Sequence, residues 1–296
     1  MLFSSRRQRV AVIGAGNLGR YLAAHLADGG HDVFFCVRRP PAPMEVAGLG
    51  HQKIPYCLHS PPPADVVLFT VKAYDTRAAL AWLPALCTGG QPVAVIQNGA
   101  HHTSRVAPYP VVPVLAYVYV EEINGILHGF APPRPHLTVP TASILPSLFA
   151  DTAIQVQEEP AFHTAAWRKM LHNCASNPLT ALAGRGLEIF SEPLYFEWAT
   201  SILAEALLIA NADGASLAIY EPENILRVLK AYPAGTRTSM LLDRERGRPL
   251  ELSILTGALV ELGQLYGLPT PVNEDLLTRL AYPERTCPAG SFSSES

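Results

Sequence analysis

The fold is decided by one stretch near the start of the chain, Arg9-Val10-Ala11-Val12-Ile13-Gly14-Ala15-Gly16-Asn17-Leu18-Gly19. Its first five residues predict a short strand, and residues 20–26 carry a helical pattern. Gly14 permits a tight turn, Gly16 lets the backbone approach a pyrophosphate, and Gly19 lets the helix pack closely on the strand. Glycine turns also join strands to helices without a ligand, but this order favours a dinucleotide site with its phosphates at the helix N-terminus.

The residues after the second strand indicate which dinucleotide binds. This strand, residues 32–37, ends in Arg38-Arg39. A site for NAD usually has Asp or Glu here to accept from the ribose hydroxyls, whereas a 2′-phosphate needs a guanidinium. Arg38 therefore predicts NADP(H). The alternative is a solvated arginine pair at a strand end.

Three further apolar runs continue the alternation of strands and helices. A helix from about Asp75 to Leu86 separates the first two, and Lys72 and Asn98 follow the first and second runs. Apolar strands alternating with helices predict an α/β domain, Rossmann-like, with a parallel sheet covered on both faces. Open α/β sheets bind ligands beyond the carboxyl ends of their strands, so we expect Lys72 and Asn98 at the site. Taken singly, each could be a loop residue. The runs are Val66 to Val71, Val93 to Ile96 and Val111 to Leu115.

The pattern changes after Leu115. Residues 117–120 and 126–128 flank a turn at Asn124-Gly125, which predicts an antiparallel extension of the sheet. Residues 154–156 read as a last strand, so the first domain is predicted to cover residues 1–160.

The second half is predicted to be helical. Residues 161–287 would form an all-α domain, and residues 288–296 a disordered serine-rich tail. A helical domain against a Rossmann-like one suggests a cleft for a small substrate. The predicted helices are Ala161 to Ala175, Pro193 to Asp213, Pro222 to Ala231, Glu251 to Tyr266 and Asn273 to Ala281.

One polar stripe runs through the first of these helical segments. Lys169, Asn173 and Asn177 recur at four-residue intervals, which on a helix keeps them within about 80° of one another. One ammonium and two carboxamides on one face suit a 2-oxo acid. Two plainer interpretations stay open: Asn177 before Pro178 makes a good N-cap, and a lysine within a helix is usually solvated.

Composition narrows the classes of function. The chain has 296 residues, a net charge of −3, and five cysteines without a CxxC pair. This size favours two domains, and scattered basic residues argue against nucleic acid as a partner. Reduced cysteines indicate a cytoplasmic protein, and no apolar run approaches the roughly 18 residues that span a bilayer. No metal-ligand spacing and no supported Ser-His-Asp arrangement is found.

Over nearly its whole length the chain resembles the 2-dehydropantoate 2-reductases, also called ketopantoate reductases. The resemblance rests on the glycine turn, Arg38, and five further motifs: Thr70-Val71-Lys72-Ala73, Gln97-Asn98-Gly99, the block from Lys169 and Asn173 to Asn177-Pro178-Leu179-Thr180-Ala181, Thr238-Ser239-Met240 and Glu251.

The resemblance implies that NADPH reduces ketopantoate to pantoate, a step towards pantothenate and coenzyme A. It also implies an all-α C-terminal domain similar to that of 6-phosphogluconate dehydrogenase. Lys169 would be the general acid, and Glu251 would complete the catalytic site. Asn98, Asn173, Asn177 and Ser239 would bind substrate with them. The cofactor would be bound by Gly14, Ala15, Gly16, Asn17, Leu18, Gly19, Arg38, Lys72 and Asn98.

Several departures from the family pattern bear on the substrate. Residues 116–122 bring bulk and two carboxylates, through Tyr119, Glu121 and Glu122, where many members have small residues. Ser253 and Thr256 replace an Asp and an Asn, and residues 183–187 lack an asparagine that some members use. A relative that reduces another 2-oxo acid is therefore the close alternative, and a silent NADP-binding sensor is the alternative from another class.

The amphipathic C-terminal helices allow a homodimer. Glu251 could equally be the N-terminal carboxylate of a helix that begins near Pro249.

Overall fold

The structure is a computed structural model that describes residues 7–100, 103–130 and 136–281. The chain divides into two compact units, Met1–Ala165 and Ala166–Ser296, so the division falls inside a helix. The predicted disordered tail at residues 288–296 lies outside the described residues.

The strands of the first unit are short. In chain order they are β1 (Arg9–Ile13), β2 (Asp32–Cys36), β3 (Met44–Val46), β4 (Gly50–Gln52), β5 (Tyr56–Cys57), β6 (Val66–Phe69), β7 (Val93–Val95), β8 (Val111–Pro113), β9 (Leu115–Tyr117), β10 (Tyr119–Ile123), β11 (Ile126–Phe130), β12 (His136–Val139) and β13 (Gln155–Glu158). Its helices are α1 (Asn17–Asp28), α2 (Thr76–Ala79), α3 (Leu83–Leu86) and α4 (Leu145–Leu148).

Six of these strands form a parallel sheet in the order β5-β2-β1-β6-β7-β8. The order reverses between β1 and β6, which is the switch point where doubly wound sheets bind ligands. On β1, Val10 and Val12 belong to one buried core, and Ala11 and Ile13 belong to another. Burial on both faces explains why this strand is apolar throughout, and it confirms the predicted α/β class.

Two predictions in the first unit were wrong in detail. The single helix predicted from Asp75 to Leu86 is a series of short turns, with 3₁₀ segments at Ala73–Asp75 and Leu80–Trp82 around α2 and α3. Pro84 explains the break, because proline removes one helical N–H and its ring clashes with the preceding turn. The hairpin of β10 and β11 exists, but it belongs to a separate sheet in the order β10-β11-β3-β4. The remaining sheet has the order β13-β12-β9.

The β10-β11 hairpin packs on α1. A side chain at Gly129 would lie 2.4 Å from the ring of Tyr21, so the two surfaces are in close contact. On the same side, buried Arg20 donates to Glu122 at 2.5 Å and to Asn17 at 3.1 Å. The helix that follows the glycine turn is therefore held from outside the parallel sheet.

The second unit is helical, as predicted. Its helices are α5 (Phe162–Ala183), α6 (Pro193–Ala212), α7 (Glu221–Ala231), α8 (Ser239–Glu245), α9 (Thr256–Tyr266) and α10 (Pro271–Ala281), with 3₁₀ turns at Leu187–Ser191 and Leu252–Ile254. The sequence pattern missed α8. It also ended the first helix too early, because α5 runs through Pro178. Asn177 is therefore inside the helix, and its interpretation as an N-cap was wrong.

One helix in the described part of the chain, α6, is long and apolar enough to cross a membrane by length and composition alone. Its side chains Trp198, Ile202 and Leu203 are buried. Its Glu205 accepts from the backbone N–H groups of Val272 and Asn273 at the start of α10. One face of α6 is therefore packed within the second unit, and a single helix of this length and composition is only a weak indication of a membrane span.

Candidate active site

The glycine turn between β1 and α1 has three different environments at its three glycines. Gly14 has a φ of 101°, a backbone conformation that favours glycine. A Cβ at Gly19 would lie 2.3 Å from the carbonyl oxygen of Gly14, so the helix approaches the turn as closely as glycine allows. A Cβ at Gly16 would meet nothing within 4 Å. The face of the turn at Gly16, at the N-terminus of α1, is therefore open to a ligand.

Thr70 holds this turn from the neighbouring strand. Its hydroxyl lies 3.0 Å from the carbonyl oxygens of both Ile13 and Gly14, and its backbone N–H donates to Ile13. The same hydroxyl would lie 2.5 Å from a Cβ at Gly19. Thr70 was part of a family motif in the sequence, but its role in shaping the turn depends on the pairing of β1 with β6.

Arg38 lies two residues beyond the end of β2. Its Nη2 donates to Asp75 at 2.8 Å, and its side chain is 71% exposed. Asp75 ends the 3₁₀ turn that follows β6. Because β2 and β6 flank β1, this ion pair joins the segments on either side of the glycine turn.

The loops that carry Lys72 and Asn98 are joined through Gln97. The Gln97 amide donates to the carbonyl oxygen of Val71 and to the Thr76 hydroxyl, both at 2.9 Å. Arg105 donates to the backbone oxygen of Asn98 at 2.9 Å. Lys72 and Asn98 are partly buried beyond the carboxyl ends of adjacent strands. Gln97 was visible in the sequence beside Asn98, whereas nothing in the sequence singled out Arg105.

In the second unit, Lys169, Asn173 and Asn177 all lie on α5. Their neighbours on the helix, Met170 and Cys174, are fully or almost fully buried. Asn177 is 6% exposed, and Lys169 and Asn173 keep partial exposure. The uninterrupted helix keeps the three polar side chains on one stripe.

The carboxylate of Glu251 lies close enough to Lys169 to raise the pKa of its ammonium group. Burial lowers the pKa of Lys169 to about 8, and the nearby carboxylate of Glu251 acts in the opposite direction. Glu251 is 7% exposed and precedes the 3₁₀ turn at Leu252–Ile254, where its side chain makes no capping hydrogen bond. The helix predicted to begin near Pro249 begins at Thr256, so Glu251 lies five residues before α9 and is not a carboxylate of its first turn, the structural role that the sequence left open. An ammonium group with a pKa near neutrality can release its proton readily.

His172 precedes Asn173 on α5 and lies beside the polar stripe. Burial lowers the pKa of His172, the charge of Lys169 lowers it further, and a hydrogen bond with the Asn173 side chain opposes both. Its Nε2 is buried without a hydrogen-bond partner among the described residues. The neutral form of the ring is therefore favoured, and the ring is hydrogen-bonded to the Asn173 side chain. Nothing in the sequence pattern indicated a role for His172.

Ser239 begins α8, and the preceding Thr238 caps this helix by accepting from the backbone N–H of Leu241 at 3.2 Å. The Thr238 hydroxyl also lies 2.7 Å from the hydroxyl of Thr180 on α5. At the other end of α8, Arg244 donates to the backbone oxygens of Ala181 and Leu182. Both ends of α8 are thus bound to the C-terminal part of α5.

The residues that depart from the family pattern have different environments. Glu122 is bound to Arg20 on α1, and the Tyr119 ring lies 6.2 Å from that of Phe130. Ser253 is exposed, whereas Thr256 is fully buried at the start of α9.

The predicted site residues thus form two groups, one in each unit. The first unit contains the glycine turn with Arg38, Lys72 and Asn98 at the carboxyl edge of the parallel sheet. The second contains the α5 stripe with Glu251, and Ser239 on a helix bound to α5.

Both parts of the chain match models of one protein family. Residues 10–125 match the family described as ketopantoate reductase PanE/ApbA, and residues 161–282 match ketopantoate reductase PanE/ApbA C terminal. The 2-dehydropantoate 2-reductase of Mycobacterium tuberculosis is 31% identical over 290 residues, which cover 92% of this chain and 96% of that protein.

Two solved structures share the fold. A dimeric ketopantoate reductase from Staphylococcus aureus has a TM-score of 0.84 and 22% identity, with 93% of this chain and 99% of that one covered. A D-mandelate dehydrogenase solved with NADH and anilino(oxo)acetate has a TM-score of 0.82 and 16% identity, with 93% and 98% covered.

The family models and the curated relatives define the class of this protein, a nicotinamide-dependent oxidoreductase. More particularly, because family models match both parts of the chain, it belongs to the ketopantoate reductase family.

Proposed function

We propose that this protein reduces ketopantoate to pantoate with NADPH, a step towards pantothenate and coenzyme A. The observation that carries the proposal is the stripe of Lys169, Asn173 and Asn177 on one helix. The nearby carboxylate of Glu251 raises the pKa of Lys169 against the effect of burial. The relative from M. tuberculosis carries the name of this activity and is similar over nearly its whole length.

In this proposal, residues 1–160 form the NADP-binding domain. The backbone from Gly14 through Ala15, Gly16, Asn17, Leu18 and Gly19 would hold the pyrophosphate, and the open space at Gly16 fits that role. The exposed guanidinium of Arg38 fits a 2′-phosphate, with four of its five N–H donors beyond the one that bonds Asp75. Lys72 and Asn98 would bind the cofactor beyond β6 and β7. When bound, the nicotinamide supplies a hydride to the C2 carbonyl carbon of the substrate.

Residues 161–287 would form the substrate domain, with Lys169 as the general acid. Reduction of the C2 carbonyl leaves negative charge on its oxygen, which needs a nearby positive charge and then a proton. Lys169 carries both, because a pKa of about 8 leaves most of its side chains protonated at pH 7. The carboxylate of Glu251 keeps the ammonium charged and can accept from a substrate hydroxyl.

Asn173, Asn177, Ser239 and Asn98 would bind the rest of the substrate. Carboxamides and a hydroxyl both donate and accept, so they suit a carboxylate and a hydroxyl on one small molecule. Because Asn177 is almost completely buried, a hydrogen bond from its carboxamide to the substrate would be strong, since little water competes there.

The proposal extends to the setting of the enzyme. We propose a cytoplasmic protein with reduced cysteines, of which Cys36 and Cys174 are buried. A homodimer is also proposed, in line with the dimeric relative from S. aureus.

The test is NADPH consumption by the purified protein with ketopantoate, beside NADH and a panel of other 2-oxo acids. Fast turnover confined to NADPH and ketopantoate is the expected result. Tight NADPH binding without any turnover would instead indicate a silent NADP-binding sensor and overturn the proposal.

A second candidate is the reduction of a different 2-oxo acid. D-mandelate dehydrogenase has the same fold and was solved with an oxoacetate and NADH. The segment from Tyr119 to Glu122 would then set the choice of substrate. Activity on another 2-oxo acid, with ketopantoate inactive, would support this candidate over the first.

A further inference from the structure

Two buried threonine hydroxyls connect α5 to α8. Thr180 on α5 is 0% exposed, Thr238 is 9% exposed, and their Oγ1 atoms are 2.7 Å apart. Thr180 lies one helical turn after Asn177, and Thr238 immediately precedes Ser239. The contact therefore joins the segments that carry two proposed substrate-binding side chains.

The direction of these hydrogen bonds follows from the partners. The Thr180 hydroxyl lies 2.7 Å from the backbone oxygen of Ser176 and 3.1 Å from that of Asn177, and both oxygens can only accept. Since a hydroxyl has one proton, Thr180 donates to Ser176 and accepts from Thr238. Thr238 in turn accepts from the backbone N–H of Leu241. Each hydroxyl then donates once and accepts, in a continuous chain from the first turn of α8 into α5.

This series of hydrogen bonds fixes the position of the first residues of α8. With Arg244 bound to the last carbonyls of α5, α8 is held at both ends, so its position relative to Asn177 is set. A buried hydrogen bond between two side chains is a more specific constraint than apolar packing. Ser239, as the first residue of α8, takes its position from the Thr180–Thr238 bond.

We propose that Thr180 is a positioning residue for substrate binding, which acts through Thr238 to hold Ser239 against the 2-oxo acid. The proposal rests on the proposed function, because it requires Ser239 to contact the substrate.

The test compares Thr180→Val, which keeps the shape and removes the hydroxyl, with Thr180→Ser, which keeps the hydroxyl. Loss of one hydrogen bond to the substrate corresponds to an increase in KM for ketopantoate of about tenfold in Thr180→Val. KM for NADPH should not change. The KM of Thr180→Ser for ketopantoate should equal that of the unsubstituted protein. The matched control is Thr278→Val on α10, whose hydroxyl donates to the Glu274 carbonyl oxygen but contacts no second hydroxyl among the described residues.

A double-mutant cycle separates positioning from general structure. If Thr180 acts through Ser239, adding Thr180→Val to Ser239→Ala should raise KM no further. Additive effects, an unchanged KM in Thr180→Val, or failure of Thr180→Ser to rescue would overturn the inference. If Ser239→Ala alone leaves KM unchanged, the proposed role of Ser239 has failed as well.

Thr180→Val leaves a buried donor unsatisfied and could prevent folding. In that case Thr238→Val breaks the same bond from the other side; because it also removes the cap of α8, it must raise KM at least as much and give the same cycle. A normal KM in folded Thr238→Val would also contradict the proposal.

Discussion

The guanidinium of Arg38 and the carboxylate of Asp75 are joined by a 2.8 Å hydrogen bond that connects the segments following β2 and β6. These strands lie on either side of β1, so the bond lies beside the glycine turn. An exposed ion pair of this kind contributes at most about 1 kcal/mol to stability. Arg38 can therefore release Asp75 and bind a phosphate instead.

If Arg38 binds the 2′-phosphate, Arg38→Ala should weaken NADPH binding and leave NADH binding almost unchanged. Charge-assisted hydrogen bonds contribute about 1.5–3 kcal/mol, which corresponds to roughly 10–100-fold in Kd. Fluorescence titration with both cofactors measures the change. Arg39→Ala, at the adjacent exposed arginine, is the control and should bind both cofactors normally. Equal losses for NADH and NADPH would exclude recognition of the phosphate by Arg38.

Substitutions at two glycines of the turn should have different effects: one at Gly16 should weaken cofactor binding, and one at Gly19 should lower the stability of the fold. Gly16→Ala places a methyl group in open space where the pyrophosphate is proposed to bind, so the protein should fold normally and bind NADPH on the order of tenfold more weakly. Gly19→Ala forces contacts of 2.3 Å with Gly14 and 2.5 Å with Thr70, which should destabilise the fold by about 1–3 kcal/mol. Thermal unfolding and NADPH titration of both variants test this. A stable Gly16→Ala with normal affinity would contradict the proposed phosphate site.

Lys169→Ala should remove most of the turnover while the protein still binds NADPH. A positioned general acid contributes about 10²–10⁴ in rate, so kcat should fall by that factor. Steady-state kinetics and NADPH titration give the two quantities. Lys230→Ala is the control, because Lys230 lies on α7 and stacks on the Phe196 ring. Normal kcat in Lys169→Ala would show that another group donates the proton.

The rate of reduction should fall as the pH rises through about 8, where Lys169 loses its proton. The negative charge of Glu251 raises the pKa of Lys169, so its removal in Glu251→Gln must lower that pKa further. The alkaline limb of the kcat profile should therefore move to lower pH in Glu251→Gln. Glu261→Gln, at an exposed position on α9, should leave the profile unchanged. A limb that stays in place in Glu251→Gln would mean that Lys169 does not set it.

Local patterns predicted those parts of the fold in which neighbours in sequence are also neighbours in space. The strand, turn and helix around Gly14 and the helix carrying Lys169 and Asn173 are of this kind. Short elements were missed, such as α8 and the paired strands β3 and β4, because a few residues contain too little periodicity to detect.

The sequence by itself determined the glycine turn, the alternation that gives a doubly wound sheet, and the interval that puts Lys169 and Asn173 on one face of a helix. Each depends on backbone sterics and on the repeat of a strand or helix, which act over a few residues. Only the tertiary structure decided which sheet the β10-β11 hairpin joins, that Arg38 bonds Asp75 and that Thr180 bonds Thr238. It also decided that Lys169 has a pKa of about 8, because burial and the charge of Glu251 come from segments far away in sequence.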